Sequence, residues 1–229
     1  MPTLADELVL LAITEKGDVA SDAWTRLDNG VAGAHLMELA LQGRTVLEDE
    51  RVSVVDSSPT GSDPTDEVLA ELARSDTSRT PPEWIGRLAG SFPHGRVVED
   101  LRRRGILAEE RSKVFGIFNR SRNLEADPEP ERAARARLRE ILLDGRAPNP
   151  RDAALAALVQ ATGLVDEVFP DEAERARASA RLKELTEGDA LSRVLGAANE
   201  ATVRAMMVAV LLATSASVTA ATTAAIISN

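Results

Sequence analysis

The chain has 229 residues and a formal net charge of −10, with 44% hydrophobic but only 3% aromatic residues. That balance is globular, and an apolar mass of Leu, Val and Ala packs most readily as helices. The absence of cysteine excludes disulfides and thiolate chemistry, and the acidic total argues against a general nucleic-acid binder, because phosphate backbones demand cations.

In chain order, "LADELVLLAI" predicts a short helix, with Leu4, Leu8 and Leu11 at helical spacing and Asp6 and Glu7 near its positive end. The N-terminus, "MPTLADELVLLAI", lacks the basic region and small-residue cleavage site of a secretory signal, so a cytoplasmic protein is expected. "HLMELALQGR" predicts a second helix beginning at His35 and stopping at Gly43. Two short strands follow, around Val46 and over Arg51–Val55, then a turn-rich loop. Asp63-Pro64 opens a third helix, and "TPPEWIGRLAG" forms a fourth with Pro at its start.

"RVVEDLRRRGILAEERSKVFGIF" then repeats the outline of "HLMELALQGRTVLEDERVSVV": helix, Gly, strand, turn, strand. Gly105 corresponds to Gly43. Beyond the loop "NLEADPEPE" come a helix through "RAARARLREILLDG", a buried one over "NPRDAALAALVQATGLVDEVF", apolar between Ala153 and Leu164, and an amphipathic one over "PDEAERARASARLKELTEG". A last helix begins near Asp189 and runs into a stretch that carries no charge after Arg204. The expected architecture is mainly α: a single globular helical domain over residues 1–229, around a buried hydrophobic C-terminal helix, with short β-hairpins.

Charge is unevenly spread. Between Arg87 and Arg122 nine basic residues face four acidic ones, so a basic island sits in an acidic chain. Such an island holds an anion or forms solvated helix faces. His94, Gly95 and Arg96 lie at a predicted helix start, where backbone N–H groups attract phosphate. Arg102–Arg104 offset the dipole at the same helix's other end. Trp24 lies in a polar region read as a turn, where it either stacks on a ligand, enters a membrane interface or lids the core. Trp84, beside Leu88 on a helix, reads as core. In "KVFGIFNRSR", Phe115, Ile117 and Phe118 are flanked by Lys113, Arg120 and Arg122. A hairpin over 113–122 with an apolar tip and basic flanks suits an anionic membrane or a second chain.

Several chemistries are absent. With two histidines and no cysteine, no metal site of the usual kind is expected. Neither a Walker loop nor a dinucleotide fingerprint is present, so no cofactor is expected, and Gly30 and Gly33 read as turn and helix-packing positions. His35 reads as structural, and the acidic residues show no catalytic spacing, so no enzyme is expected.

"LADELVLLAITEKGDV", "AWTRLDNGVAGAHLMELALQGRTVLED", "LRRRGIL" and "ANEATVRAMMVAVLLAT" together resemble, in this order, the Golgi phosphoprotein 3 family. The resemblance implies a mostly helical fold around a hydrophobic central helix. It also implies phosphatidylinositol 4-phosphate binding at a membrane surface, in a basic pocket beside a tryptophan, and a hairpin that takes part in self-association. The pocket tryptophan corresponds to Trp24. One pocket arginine falls near Ala32 and two more at Ser91 and His94, while Arg96 matches a nearby basic position. The family's basic N-terminal arm has no counterpart here, so coat binding is not expected.

These readings predict a protein peripheral to the inner face of the membrane, with an anionic phospholipid surface as partner, bound through Trp24, His94 and Arg96. A homo-oligomer through the 113–122 hairpin and no nucleic-acid partner are expected. The alternatives are a winged-helix DNA binder using "RVVEDLRRRG" and a protein-interaction scaffold. The uncharged tail is mild in hydrophobicity after Thr214 and has no basic or aromatic anchor at its end, so burial is expected rather than a bilayer span.

Overall fold

The computed structural model describes residues 1–14, 17–19, 24–114, 118–187, 202–211 and 213–214. It is mainly α, as the composition predicts. The elements are α1 (Leu4–Ala12), α2 (Trp24–Leu41), β1 (Thr45–Glu48), β2 (Arg51–Val54), α3 (Asp63–Arg74), α4 (Pro81–Ser91) and α5 (His94–Arg103). There follow β3 (Leu107–Val114), β4 (Phe118–Glu125), α6 (Glu129–Leu142), α7 (Pro150–Thr162), α8 (Val165–Val168) and α9 (Glu172–Glu187). Residues 202–211 form α10. Each strand pair is an antiparallel hairpin of its own.

The helix buried on every side is α1. All nine of its residues are buried, including Asp6 and Glu7. Thr3 and Asp6 close a reciprocal capping box: Thr3 Oγ1 accepts from Asp6 N at 3.1 Å and Asp6 Oδ2 accepts from Thr3 N at 2.8 Å. Two orphan donors of the first turn are thereby satisfied. Helices α2, α5, α6 and α7 pack around it.

Helix α2 begins at Trp24, well ahead of the predicted start at His35. Asn29, Gly30 and Gly33 are poor helix formers, but tertiary contact overrides them. A Cβ on Gly30 would sit 2.3 Å from Thr162 Cγ2 of α7, and one on Gly33 would sit 2.0 Å from Val210 Cγ2 of α10. Both glycines let neighbouring helices approach the α2 backbone, so neither marks a turn. Helix α10 buries Val203, Met206, Met207 and Val210 against the core and leaves Arg204 and Val208 outward. Residues 188–201 and the tail after Thr214 lie outside the described residues. Among the described residues no helix is long and apolar enough to cross a membrane.

The two predicted helix–hairpin units are alike down to their hydrogen bonds. Gly43 and Gly105 end α2 and α5 with φ of 68° and 74°, the left-handed conformation glycine adopts without a Cβ penalty. Gly43 N donates to Ala40 O and Arg44 N to Leu39 O; Gly105 N donates to Arg102 O and Ile106 N to Leu101 O. After each hairpin the chain returns to the same place. Val55 N and Asp56 N donate to Arg44 O, as Ala126 N and Asp127 N donate to Ile106 O. The second hairpin is longer, pairing Leu107 with Glu125 through to Val114 with Phe118. Its base is held by Asn123 N, which donates to Gly17 O at 2.8 Å. Gly17 has φ 74°, and a Cβ there would meet Asn123 O at 2.5 Å.

Candidate anion site at the junction of α2 and α5

Helix α5 starts after Pro93, whose extended conformation turns the chain out of α4. Its first residue faces α2. Asp28 Oδ1 accepts from His94 N at 2.8 Å and lies 2.7 Å from His94 Nδ1. One carboxylate therefore satisfies an orphan N–H of α5, sits at the helix's positive end and orients the imidazole. The side chains of His94 and Asp28 are 12% and 27% exposed. Trp24 opens α2 one turn ahead of Asp28, so it stands in a helix and not in the turn the sequence suggested. The Trp24 side chain lies outside the described ones.

Arg96 sits half a turn into α5, 51% exposed. Its guanidinium stacks on Phe92, 4.7 Å from the ring centroid, and pairs with Glu67 of α3. The structure thus brings His94, Arg96 and the start of α2 together. It also supplies a partner that the sequence reading missed, Asp28. Only the register of α2 reveals it, and that helix start was hidden by the glycines.

From Arg87 to Arg104 the arginines of the basic island are paired. Helix α3 presents Asp63, Glu67 and Glu71 one turn apart, and they pair with Arg103, Arg96 and Arg87. Asp100, 5% exposed, binds Arg103 at 2.6 Å and Arg104 at 2.8 Å, and Arg104 continues to buried Asp6 at 2.7 Å. Arg102 donates to Asn123 Oδ1 at 2.7 Å. The triple arginine is an ion-paired clasp between α5, α1 and the second hairpin, which goes beyond the dipole role expected of it.

Other predicted positions fall as follows. Ala32, where the resemblance puts a pocket arginine, is fully buried inside α2, so no surface cation could stand there without unpacking the core. Ser91 ends α4 and is exposed. His35 lies in mid-α2, 1% exposed, with Nδ1 3.1 Å from Thr65 Oγ1. Desolvation pushes its pKa down to about 4 against the opposing pull of Glu38. It is a core residue, as expected, though not a helix start. Trp84 is 2% exposed with Arg79 over its ring at 5.0 Å, a core tryptophan as predicted. In the hairpin, Phe115 and Ile117 lie outside the described residues; Phe118 opens β4 and pairs with Val114, its side chain outside those described. Among the described residues no group of three or more His, Asp or Glu could hold a metal ion.

The sequence that builds this fold matches a known family over most of its length. The family model for Golgi phosphoprotein 3 (GPP34) covers residues 4–209, and the chain belongs to that family.

Proposed function

We propose that this protein is a peripheral membrane protein that binds an anionic phospholipid, with a headgroup of the phosphatidylinositol 4-phosphate type, at the α2–α5 junction. The observation that carries the reading is the Asp28 carboxylate held by both His94 N and His94 Nδ1. A helix N-terminus with an adjacent imidazole and guanidinium is anion-binding chemistry, and Asp28 occupies it as a built-in anion. A phosphate entering here competes with Asp28 for the α5 end and with Glu67 for Arg96.

Magnitudes favour that exchange. The Arg96–Glu67 pair is half-exposed, and such pairs contribute about 0–1 kcal/mol. A phosphate with more than one negative charge gains more from the same guanidinium than a single exposed carboxylate does. The roles are then distinct. His94 and the first N–H groups of α5 hold the phosphate, Arg96 swings from Glu67 to it, and Trp24 sits at the membrane interface. The 113–122 hairpin, with Phe115, Ile117 and Phe118, is the contact between copies, and the binding face meets the inner leaflet.

The nucleic-acid alternative gains little from α5: Arg103 and Arg104 are held by Asp100, Arg102 donates to Asn123, and the helix carries no Asn or Gln to read base edges. The test is flotation with vesicles of neutral phosphatidylcholine alone and with phosphatidylinositol 4-phosphate added. Recovery should require the phosphoinositide, fall several-fold for Arg96→Ala, and weaken as salt rises. Equal recovery on both vesicles, unchanged by Arg96→Ala, would exclude this reading.

A further inference from the structure

An apolar groove of about 550 Å³ lies between the first hairpin, the start of α4 and the outward face of α10. Leu47 of β1, Pro81 and Pro82 of α4, and Ala205 and Val208 of α10 line it. The hairpin and α10 are already joined here, since Leu47 N donates to Thr202 Oγ1 at 2.9 Å. Helix α10 turns Val203, Met206, Met207 and Val210 inward and leaves Val208 50% exposed. Singly exposed apolar side chains are ordinary. Val208 differs in sharing a groove with Leu47 and two prolines. Charge does not call for an ionic ligand, because the lining brings one group of each sign, Glu50 and Arg204.

Two stretches that border α10 lie outside the described residues, 188–201 and 215–229. The first carries Asp189, Arg193 and Glu200. The second carries no charge and holds the adjacent pair Ile226 and Ile227, whose apolar surface favours burial. Its reach suffices. Thr214 Oγ1 donates to Val210 O at 2.8 Å, within the helical run. Thr214 thus stands about 9 Å along the helix axis from Val208. Ile226 lies twelve residues beyond Thr214. That length of chain spans at most about 40 Å, ample to turn back by so short a distance. Ser215 and Ser217, just past Thr214, are residues that favour turns.

We propose that this groove is the seat of residues 224–227 of the same chain, with the Ile226–Ile227 pair against Val208, Leu47 and Pro82. An uncharged segment enters it without stranding a charge beside Glu50 or Arg204. The contact covers the exposed side of α10 and straps the first hairpin and α4 to it. It also accounts for the uncharged stretch after Arg204 without a bilayer.

The chain has no cysteine, so a pair introduced into the full-length protein can bond only to each other or across two copies. The test is disulfide formation in dilute, oxidised protein, read by mass and by mobility on a non-reducing gel. Val208→Cys with Ile226→Cys should close within one chain. Leu124→Cys with Ile226→Cys is the control, because Leu124 is 43% exposed on the second hairpin. The Val208 pair should close at least about tenfold faster, since a seated segment holds its thiol at high effective concentration. Pro82→Cys with Ile226→Cys should also close. Adding Val208→Glu should slow that bond at least about tenfold, because the carboxylate would be buried under isoleucine, with the fold intact by circular dichroism. Equal rates for the Val208 and Leu124 pairs, no bond at all, or a Pro82 pair indifferent to Val208→Glu would overturn the proposal. A bond that joins two chains would overturn it as well and give the groove to a second copy.

Discussion

At the residue scale, the two histidines sit in opposite surroundings. His35 is sealed in the core with its pKa at about 4. Its folded pKa is depressed, so the unfolded chain takes up a proton between pH 6.5 and 4 that the folded chain refuses. Stability should therefore fall as pH drops through that window, by about 3 kcal/mol from this residue alone. Urea denaturation of the protein and of His35→Gln at pH 7.5 and 4.5 checks it: the variant should lose less stability over the interval, and equal losses would contradict it. Glu7 acts with the opposite sign. Its folded pKa is raised, so its contribution is lost as pH rises through that value. His94 instead sits partly exposed at a helix end with Asp28, in the proposed anion site. It was legible as a candidate from the local string "PHGR". Asp28 was not, because the pair spans 66 residues.

At the element scale, helix α2 is held by what it touches more than by its own propensity. Gly33→Ala would gain helix propensity, about 1 kcal/mol, yet it drives a methyl into Val210, and overpacking costs about 1–3 kcal/mol. The net effect should be destabilising, and Val210→Ala in the same chain should relieve most of it, as a double-mutant cycle by thermal denaturation would show. Gly86, inside α4, has nothing within 4 Å of the point where an alanine methyl would stand, so Gly86→Ala should stabilise by up to about 1 kcal/mol in the same assay. These two glycines look alike in sequence, and only the neighbouring helix tells them apart. The same limit hid the start of α2. By contrast α1, α7 and the two helix–hairpin units were legible, because Leu4, Leu8 and Leu11, the apolar run from Ala153 and the stop glycines at 43 and 105 are local signals. For the second hairpin, the proposed contact between copies has its own check. Replacing residues 113–122 by a two-residue turn should reduce the assembly seen by light scattering to monomer, and an unchanged mass would remove the hairpin from that role.

At the scale of the whole molecule, the chain combines an acidic total with a basic island whose arginines from Arg87 to Arg104 are paired internally. The composition alone could not reveal this, since the acids of α3 and the arginines of α4 and α5 are apart in sequence and meet only on packing. The proposed lipid site is a small junction whose cations would exchange their carboxylate partners for a phosphate. That makes a prediction with opposite signs for two substitutions at one site. Asp28→Asn keeps the hydrogen-bonding shape at the α5 N-terminus, so it should change stability by less than about 1 kcal/mol, while it removes the built-in anion. The decisive measurement is equilibrium binding of the protein, Asp28→Asn and Arg96→Ala to phosphatidylinositol 4-phosphate vesicles by surface plasmon resonance at fixed salt. The account predicts tighter binding for Asp28→Asn and weaker binding for Arg96→Ala, each by several-fold. If Asp28→Asn binds no more tightly and Arg96→Ala binds no more weakly than the unaltered chain, the α2–α5 junction is not the lipid site.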